Sequence, residues 1–239
     1  MVLIMPLVSI IIPTYNSSRT IENCMQSCIK YAFDCEIIIQ DGNSSDNTVS
    51  IAKQFNHPNI KFNIQSDFGV YDAMNKALEF ATGKYVYFLG SDDEITFGFR
   101  EVLKFTEKLE YSIVYAKVRL KYRDVLINEK RNFYDLLFEG NISPQGILYG
   151  RHLFEIYTYN LNFPIYSDYH LNLKLWHNKS IKKKYLNVEI CTFNDKDGLT
   201  GKNTPDVNFH EYRERLRAKK KHGLIFNVIR KCRKIVFKQ

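Results

Sequence analysis

The first half of the chain alternates between short apolar runs and segments in which apolar residues recur at helical spacing. The runs Val8 to Pro13, Glu36 to Gln40 and Tyr85 to Leu89 are mostly apolar, and Ile60 to Ile64 alternates apolar and polar positions. Continuous apolar runs are typical of strands covered on both faces. Helical spacing is seen in Ile21, Cys24, Met25, Cys28 and Ile29, in Val49, Ala52 and Phe55, and in Tyr71, Met74, Leu78 and Ala81. The alternation predicts an α/β fold with a mainly parallel central sheet flanked by helices.

Polar side chains follow each of these predicted strands at its C-terminal end. They are Thr14, Asp41, Asp67 and the adjacent pair Asp92 and Asp93. Open α/β sheets bind ligands at this edge, so the four positions are interpreted as the lining of one site. Adjacent carboxylates repel each other, and a divalent cation with oxygen ligands would compensate that repulsion. The alternative for the pair is a solvated acidic turn.

The pattern is looser in the second half of the chain. A helix is expected from Phe99 to Leu109, a strand from Ser112 to Val118, and a hairpin that turns at Arg123-Asp124. Ile181 to Phe193 predicts one or two further strands. Asp168 lies at the start of a predicted helix, where an N-cap role is the alternative to a functional one.

Composition and cysteine content indicate an ordinary globular protein of 239 residues, 45% of them hydrophobic. No apolar run reaches the ~18 residues that a membrane span needs. The apolar start from Met1 to Ile12 lacks a basic leader and a cleavage site, so it is interpreted as a buried strand. The five cysteines fit no zinc module, which favours reduced thiols in a cytoplasmic protein.

The formal net charge of +8 comes from the C-terminal end of the chain. The chain has 34 basic and 26 acidic residues, of which 11 basic residues and one acidic residue lie from Arg213 onward. The rest of the chain therefore has 23 basic and 25 acidic residues and a net charge of −2. One apolar helical stripe runs through this segment: Leu224, Ile225, Val228, Ile229, Cys232 and Val236. A basic amphipathic helix is typical of contact with an anionic membrane surface. The alternatives are a helix packed on the body and a nucleic-acid-binding tail, and the lack of exposed aromatic residues disfavours the latter.

Several ordered motifs resemble those of family 2 glycosyltransferases, in particular the branch that builds bacterial capsule, O-antigen and other exopolysaccharides. The matching segments are Ser9 to Asn16, Glu36 to Thr48, Asp67 to Lys76, Ala81-Thr82-Gly83, Pro144-Gln145-Gly146 and Ser167-Asp168-Tyr169. Two positions depart from the family pattern. Gln65 stands where relatives often have an acid, and Pro144 stands where they commonly have a histidine.

This resemblance implies a GT-A fold and a metal-dependent, inverting transfer of a sugar from a nucleotide diphosphate to a hydroxyl group. UDP is the default nucleotide and Mn²⁺ or Mg²⁺ the expected cation. The acceptor would be a glycan or a lipid-linked saccharide. The protein would be cytoplasmic and would lie peripherally on the inner face of the cell membrane, and nucleic acid would not be a partner. Residues 1–95 would form the nucleotide-sugar-binding half and 96–205 the acceptor half of a single domain, followed by a basic helical tail at 206–239.

The resemblance also assigns roles to single residues. Thr14, Tyr15 and Asn16 would flank the base and ribose, and Asp41 would accept a hydrogen bond from the base. Asp67 and Gly69 would lie by the nucleotide. Asp92 and Asp93 would form the metal motif, with Asp93 the more direct ligand. Asp168 would be the catalytic base, with Asp195 and Asp197 next in line. Asp72 has two possible roles: a contact with the sugar or with the metal loop, or an ion pair with Lys76.

Two other enzyme classes are less consistent with the motifs. A sugar-phosphate nucleotidyltransferase usually opens with a glycine-rich loop after its first strand, and Pro13 to Asn16 contains no glycine. A dinucleotide-dependent oxidoreductase would need a G-x-G-x-x-G segment after a strand, which the sequence lacks.

Overall fold

The computed structural model of the chain describes residues 5–108, 110–196 and 206–236, with side chains as far as residue 221. Within these ranges the chain forms one nine-stranded mixed sheet with helices on both faces. The first elements are β1 (Val8–Thr14), α1 (Ile21–Ala32), β2 (Glu36–Asp41), α2 (Thr48–Lys53), β3 (Ile60–Ile64), α3 (Val70–Leu78) and β4 (Tyr85–Phe88). Their strands are parallel in the order β3-β2-β1-β4, as the sequence predicts.

Alternate residues of the apolar strands pack on opposite faces of the sheet, because side chains in a strand have a period of two. Ile10 and Ile12 of β1 belong to the core that includes Cys24 and Cys28 of α1. Ile11, between them, belongs to the second core on the other face, with residues of α3. Both faces are therefore covered, which explains why β1 is apolar at almost every position.

The second half of the sheet is mixed rather than parallel. Its elements are β5 (Glu94–Ile95), α4 (Gly98–Lys108), β6 (Ile113–Leu120), β7 (Val125–Ile127), α5 (Phe133–Phe138), β8 (Ile147–Gly150), α6 (Ser167–His177), β9 (Lys183–Phe193) and α7 (Val207–Val236), with 3-10 turns at Pro144–Gly146 and Arg151–Glu155. Strand β8 joins β4 to β6 with antiparallel pairing on both sides, and β9 pairs parallel to β6. The predicted hairpin is β6–β7, and Asp124 in its turn has a φ of 50°.

The last helix begins as part of the body. Phe209 is buried, with its ring 4.9 Å from that of Tyr169 and 5.8 Å from that of Phe163. Arg213 and Arg217 both donate to the carbonyl of Leu137 in α5. The apolar stripe expected farther along lies outside the described side chains. No helix in the described part of the chain is both long and apolar enough to cross a bilayer.

Candidate functional site

The loops that follow β1 and β2 are joined by the buried carboxylate of Asp41. Its Oδ2 accepts from the Thr14 hydroxyl at 2.8 Å and from the Ser44 hydroxyl at 2.7 Å, and its Oδ1 accepts from the Ser44 N–H at 2.7 Å. Asn16, with a φ of 50°, accepts from the Ser45 N–H at 3.0 Å. Asp41 thus organises the loop, and a contact with a base, which stays a prediction, would use its remaining acceptor capacity.

The loop that follows β3 reaches the same corner. A Cβ placed on Gly42 would lie 2.6 Å from Oδ2 of Asp67 and 3.3 Å from the ring of Tyr15, so glycine is required for this close approach. The Tyr15 ring is 66% exposed. Asp67 Oδ1 accepts from the N–H of Gly69 at 2.9 Å, and Gly69 has a φ of 110°, a conformation that favours glycine. Tyr15, Asp67 and Gly69 therefore lie around one corner of the sheet edge.

Asp72 forms the ion pair that the sequence left open. Its Oδ2 lies 2.8 Å from Nζ of Lys76 and accepts from the N–H of Phe68 at 2.9 Å. Burial alone would raise the pKa of Asp72, but these two donors hold it below its ordinary value. A direct contact of Asp72 with a donor sugar stays a prediction.

The predicted metal motif contains one buried and one partly exposed carboxylate. Asp93 is wholly buried; its Oδ1 accepts from the N–H of Asn194 at 2.8 Å and its Oδ2 from the N–H of Gly90 at 3.2 Å. The side chain of Gln145 also lowers the pKa of Asp93. Burial and the charge of Asp92 raise the pKa of the Asp93 carboxyl to about 8, although these donors oppose the rise. Asp92 retains exposed surface, and which of the two binds a cation more directly stays a prediction.

This pair of carboxylates fits a hard divalent cation. A buried carboxylate beside a second one is destabilised by like charge, and Mg²⁺-type sites use one or two carboxylates together with substrate phosphates. Among the described residues no group of three His, Cys, Asp or Glu side chains could hold a metal. A cation at Asp92 and Asp93 would therefore take further ligands from water and from a bound phosphate.

The loop that carries this pair also contacts the first loop. The hydroxyls of Ser17 and Ser91 are 2.8 Å apart, and the Cys24 thiol lies 3.4 Å from the carbonyl of Gly90. The loops after all four parallel strands are thus linked to one another at one edge, as the sequence predicts.

Asp168 lies in the first turn of α6 and is enclosed by polar partners. Tyr166 is the N-cap residue and no side chain caps the helix, so the N-cap alternative for Asp168 is wrong. Its Oδ1 accepts from the Tyr71 hydroxyl and its Oδ2 from Nδ2 of Asn141, both at 2.7 Å. Burial raises the pKa of the Asp168 carboxyl, and these two donors oppose that rise.

One short segment connects the two buried carboxylates. Asn141 donates to Asp168, and the side chain of Gln145, four residues later, lowers the pKa of Asp93. Four residues span at most about 14 Å, so the two partners are close along the chain. Sequence reasoning noticed Gln145 as part of a motif but missed Asn141 and Asn194, because a single Asn in a loop carries no pattern.

The next candidate bases are less suitable. Asp195 accepts from the N–H of Tyr122 at 2.8 Å and pairs with Arg123 at 2.7 Å. The guanidinium of Arg123 holds the pKa of Asp195 below its ordinary value, which weakens it as a base. Asp197 lies outside the described residues.

Two cavities lie at different ends of the sheet. The larger, about 690 Å³, is lined by residues at the amino ends of the strands, including Leu7, Glu36 and Lys84, and is away from the predicted site. The smaller, about 40 Å³, lies between Phe68 and Tyr71 at the start of α3 and Pro164 before α6. It adjoins the predicted site, because Tyr71 bonds Asp168.

The fold is that of the GT-A glycosyltransferases. The S. aureus TarS fragment 1-349 superposes with a TM-score of 0.67 at 20% identity, over 78% of this chain and 60% of that one. The same fragment in complex with UDP-GlcNAc gives a TM-score of 0.64 at 19% identity, over 83% and 61%. The mannosyltransferase PcManGT from Pyrobaculum calidifontis, in complex with GDP-Man and Mn²⁺, gives 0.61 at 18% identity, over 83% and 60%.

Residues 9–171 match the model of glycosyl transferase family 2, and the chain belongs to that family. It is 33% identical over 204 residues to a PGL/p-HBAD biosynthesis glycosyltransferase of Mycobacterium bovis, covering 82% of this chain and 79% of that protein. It is 40% identical over 91 residues to a chondroitin synthase of Escherichia coli, covering 37% of this chain and 13% of that protein. The resemblance inferred from the motifs is confirmed.

Proposed function

We propose that this glycosyltransferase moves a sugar from a UDP-sugar, with inversion and with Mn²⁺ or Mg²⁺, to a hydroxyl of a glycan or lipid-linked saccharide. The observation that carries the proposal is the meeting of four strand-end loops around a carboxylate pair, with Asp168 bonded to the adjoining helix α3. Solved neighbours hold UDP-GlcNAc, or GDP-Man with Mn²⁺, which supports a nucleotide-sugar donor. The names of the relatives support a role in bacterial surface polysaccharide or glycolipid synthesis.

In this proposal the first two loops and the β3–α3 loop bind the nucleotide. Thr14, Tyr15, Asn16, Asp41, Asp67 and Gly69 would surround the base, ribose and phosphates. Asp92 and Asp93 would hold the cation, which supplies Lewis-acid stabilisation of charge on the leaving diphosphate when bound. Residues 1–95 then serve the donor and 96–205 the acceptor.

Asp168 would act on the acceptor. The acceptor oxygen forms a bond to the anomeric carbon with its electron pair and gives its proton to Asp168, while the bond to the diphosphate breaks and the leaving group keeps the electrons. A positioned base of this kind contributes roughly 10²–10⁴-fold. Holding donor and acceptor in line replaces a bimolecular encounter and gives inversion.

The carboxylate pair can be tested by thermal unfolding with UDP and GDP, each with and without Mn²⁺. A ligand at a hundred times its Kd stabilises a protein by about 2.7 kcal/mol, so UDP with Mn²⁺ should raise the Tm clearly more than either alone. Asp92→Asn and Asp93→Asn should lose the metal-dependent part. Asp34→Asn, an exposed acid at the other end of the sheet, should keep it. Equal stabilisation by UDP without metal would contradict the metal dependence.

The base can be tested separately by UDP release from UDP-sugars. Asp168→Asn should retain Mn²⁺-dependent stabilisation by UDP, because Asp168 is assigned to the acceptor, yet lose release of UDP. Normal turnover by Asp168→Asn would show that the base assignment is wrong. Failure of all nucleoside diphosphates to bind would favour one of the other classes, and salt-sensitive binding of duplex DNA would favour the nucleic-acid alternative.

A further inference from the structure

The Tyr71 hydroxyl has two acceptors but only one proton. It lies 2.7 Å from Oδ1 of Asp168 and 2.8 Å from the carbonyl oxygen of Ile165. While Asp168 is ionised, both neighbours can only accept, and the charged acceptor forms the stronger bond. Once Asp168 is protonated, its O–H can donate to Tyr71, whose own proton then turns to Ile165. The phenol therefore has a partner in both protonation states of Asp168.

The other carboxylate oxygen faces a donor whose orientation is fixed. The carbonyl of Ile142 can only accept, so Asn172 must direct its NH₂ group there, at 3.1 Å, and to Oδ1 of Asn141, at 3.0 Å. Oδ1 of Asn172 accepts from the Tyr149 hydroxyl at 2.9 Å. The amide of Asn141 is thereby held with its NH₂ group towards Oδ2 of Asp168.

We propose that Tyr71 and Asn141 are positioning residues for Asp168, which fix its carboxylate and leave Oδ1 as the oxygen that takes the acceptor proton. This inference rests on the proposed function, in which Asp168 is the base. The two residues come from α3 and from the loop before β8, so the base is held by both halves of the domain. Neither needs to touch the substrate to act in this way.

Tyr71 and Asn141 are the side chains that lower the pKa of Asp168, together with the backbone of Tyr169 in the same helix. Tyr71 faces this carboxylate from α3, Tyr149 from β8 and Tyr159 from the segment before α6, and burial keeps the pKa of each phenol above its ordinary value. Asp206, before α7, accepts from the N–H groups of Ile165 and Tyr166 and is the other described carboxylate near Tyr71. Removing a donor to the ionised form of Asp168 should therefore raise the Asp168 pKa.

The test measures the Asp168 carboxyl directly by ¹³C NMR of protein labelled at aspartate Cγ, with Asp168→Asn to assign the signal. Tyr71→Phe keeps the ring and should raise the Asp168 pKa by about one unit. Asn141→Ala should raise it as well, which keeps the proposal testable if one variant folds poorly. The matched control is Tyr159→Phe, which removes a buried hydroxyl that has no hydrogen-bond partner among the described residues and should leave the pKa unchanged.

The same variants are then compared in pH profiles of UDP release from a UDP-sugar. A base works in its ionised form, so the acidic limb of kcat/KM should move to higher pH in Tyr71→Phe and Asn141→Ala but not in Tyr159→Phe. An unchanged carboxyl pKa and acidic limb in both variants, with Asp168→Asn inactive, would overturn this inference alone. Release of UDP that survives Asp168→Asn would overturn the base assignment itself.

Discussion

Asp93 and Asp168 of the candidate site differ in whether a second carboxylate lies beside them. Asp93 lies beside a second carboxylate and its pKa is raised to about 8, so the ionised form is poorly stabilised by the protein alone. Asp168 has neutral donors on both oxygens, as Asp93 does, but its neighbours in the chain are Ser167 and Tyr169 rather than a second acid. It can therefore be ionised or protonated without a cation, as a base requires, whereas Asp93 is suited to holding one.

Glu36, a buried carboxylate outside the candidate site, has a structural role. It lies at the amino end of β2, where it accepts from the hydroxyl of Ser9, from Nζ of Lys61 and from the N–H of Thr82 at 2.9 Å. The Thr82 hydroxyl also donates to it, at 2.8 Å. Thr82 belongs to the motif Ala81-Thr82-Gly83, which this network explains: it ties the amino ends of β1, β2, β3 and the turn before β4 together.

Glu36→Gln should destabilise the protein by about 1–3 kcal/mol at neutral pH, because an amide cannot replace a carboxylate that accepts from four donors. Burial favours the neutral acid, but the four donors hold the pKa of Glu36 below its ordinary value. Its contribution is thus present above about pH 4.3, the unfolded pKa, and is lost as the pH falls through the folded pKa. Urea unfolding at several pH values measures this. The control is Glu107→Gln, because Glu107 is an exposed acid that lines the same large cavity as Glu36. This variant should change the free energy of unfolding little.

If Glu36→Gln lowers the free energy of unfolding by the same amount at pH 3 and at pH 7, the charge of the Glu36 carboxylate does not contribute to stability.

The sequence predicted where the candidate site residues lie in the fold better than it predicted which side chains hold them in place. Asp41, Asp67, Asp92 and Asp93 follow apolar runs, so their place at one sheet edge follows from strand periodicity. The donors to Asp168 come from positions far apart in the chain, and Tyr71 shows only as an apolar position of a helix. Pairings of this kind depend on tertiary packing, which periodicity does not contain.

At the scale of elements, the parallel half was predictable and the mixed half was not. Each of β1, β2 and β3 is followed by a helix that returns the chain before the next strand, so parallel pairing of β1 to β4 is the expected result. β8 is inserted between β4 and β6 and antiparallel to both. Its four residues, Ile147–Gly150, carry a strand signal but no information about which strands it pairs with or in which direction. Its place in the sheet therefore follows from the three-dimensional structure alone.

The contact between α5 and α7 is another feature that the sequence did not predict. Arg217 donates to the carbonyls of Leu137 at 2.8 Å and Phe138 at 3.0 Å, and Arg213 donates to Leu137 at 3.1 Å. These carbonyls lie at the C-terminal end of a six-residue helix, where they have no intrahelical partner and where a cation is favourable. The first turns of the basic helix therefore stabilise the body.

Arg217→Ala should destabilise the protein by about 1 kcal/mol, since Arg213 still caps Leu137. It should also speed amide hydrogen exchange in α5. Arg215→Ala is the matched control on the same helix. The side chain of Arg215 is 82% exposed and, among the described residues, its one ion pair is with Glu211, so its loss should be within about 0.5 kcal/mol of zero. Equal effects of the two variants on α5 exchange would contradict a capping role.

At the scale of the whole molecule, the basic charge continues from the body into the C-terminal segment. Lys220 of α7 lies 2.8 Å from Nε2 of His177, and Lys179 follows at the end of α6. Burial lowers the pKa of His177, and the charges of these two lysines lower it further. Lys220 lies on the same helix, α7, as the start of the segment after Lys221, and that segment contains five more Lys and Arg residues.

We expect the segment after Lys221 to bind anionic membranes peripherally, on the inner face where lipid-linked acceptors would be presented. Each cation near an anionic surface contributes about 1 kcal/mol, and the apolar stripe adds burial.

Because Phe209 and Arg217 hold the start of α7 to the body, a variant truncated after Lys221 should keep its fold and its UDP binding. Cosedimentation with vesicles containing phosphatidylglycerol should fall at least about tenfold in this variant. Binding of the full chain should also weaken with added salt, since salt screens these charges. A truncated variant that cosediments as well as the full chain, or full-chain binding to phosphatidylcholine alone at equal strength, would show that the segment is not the anchor and would favour its packing on the body.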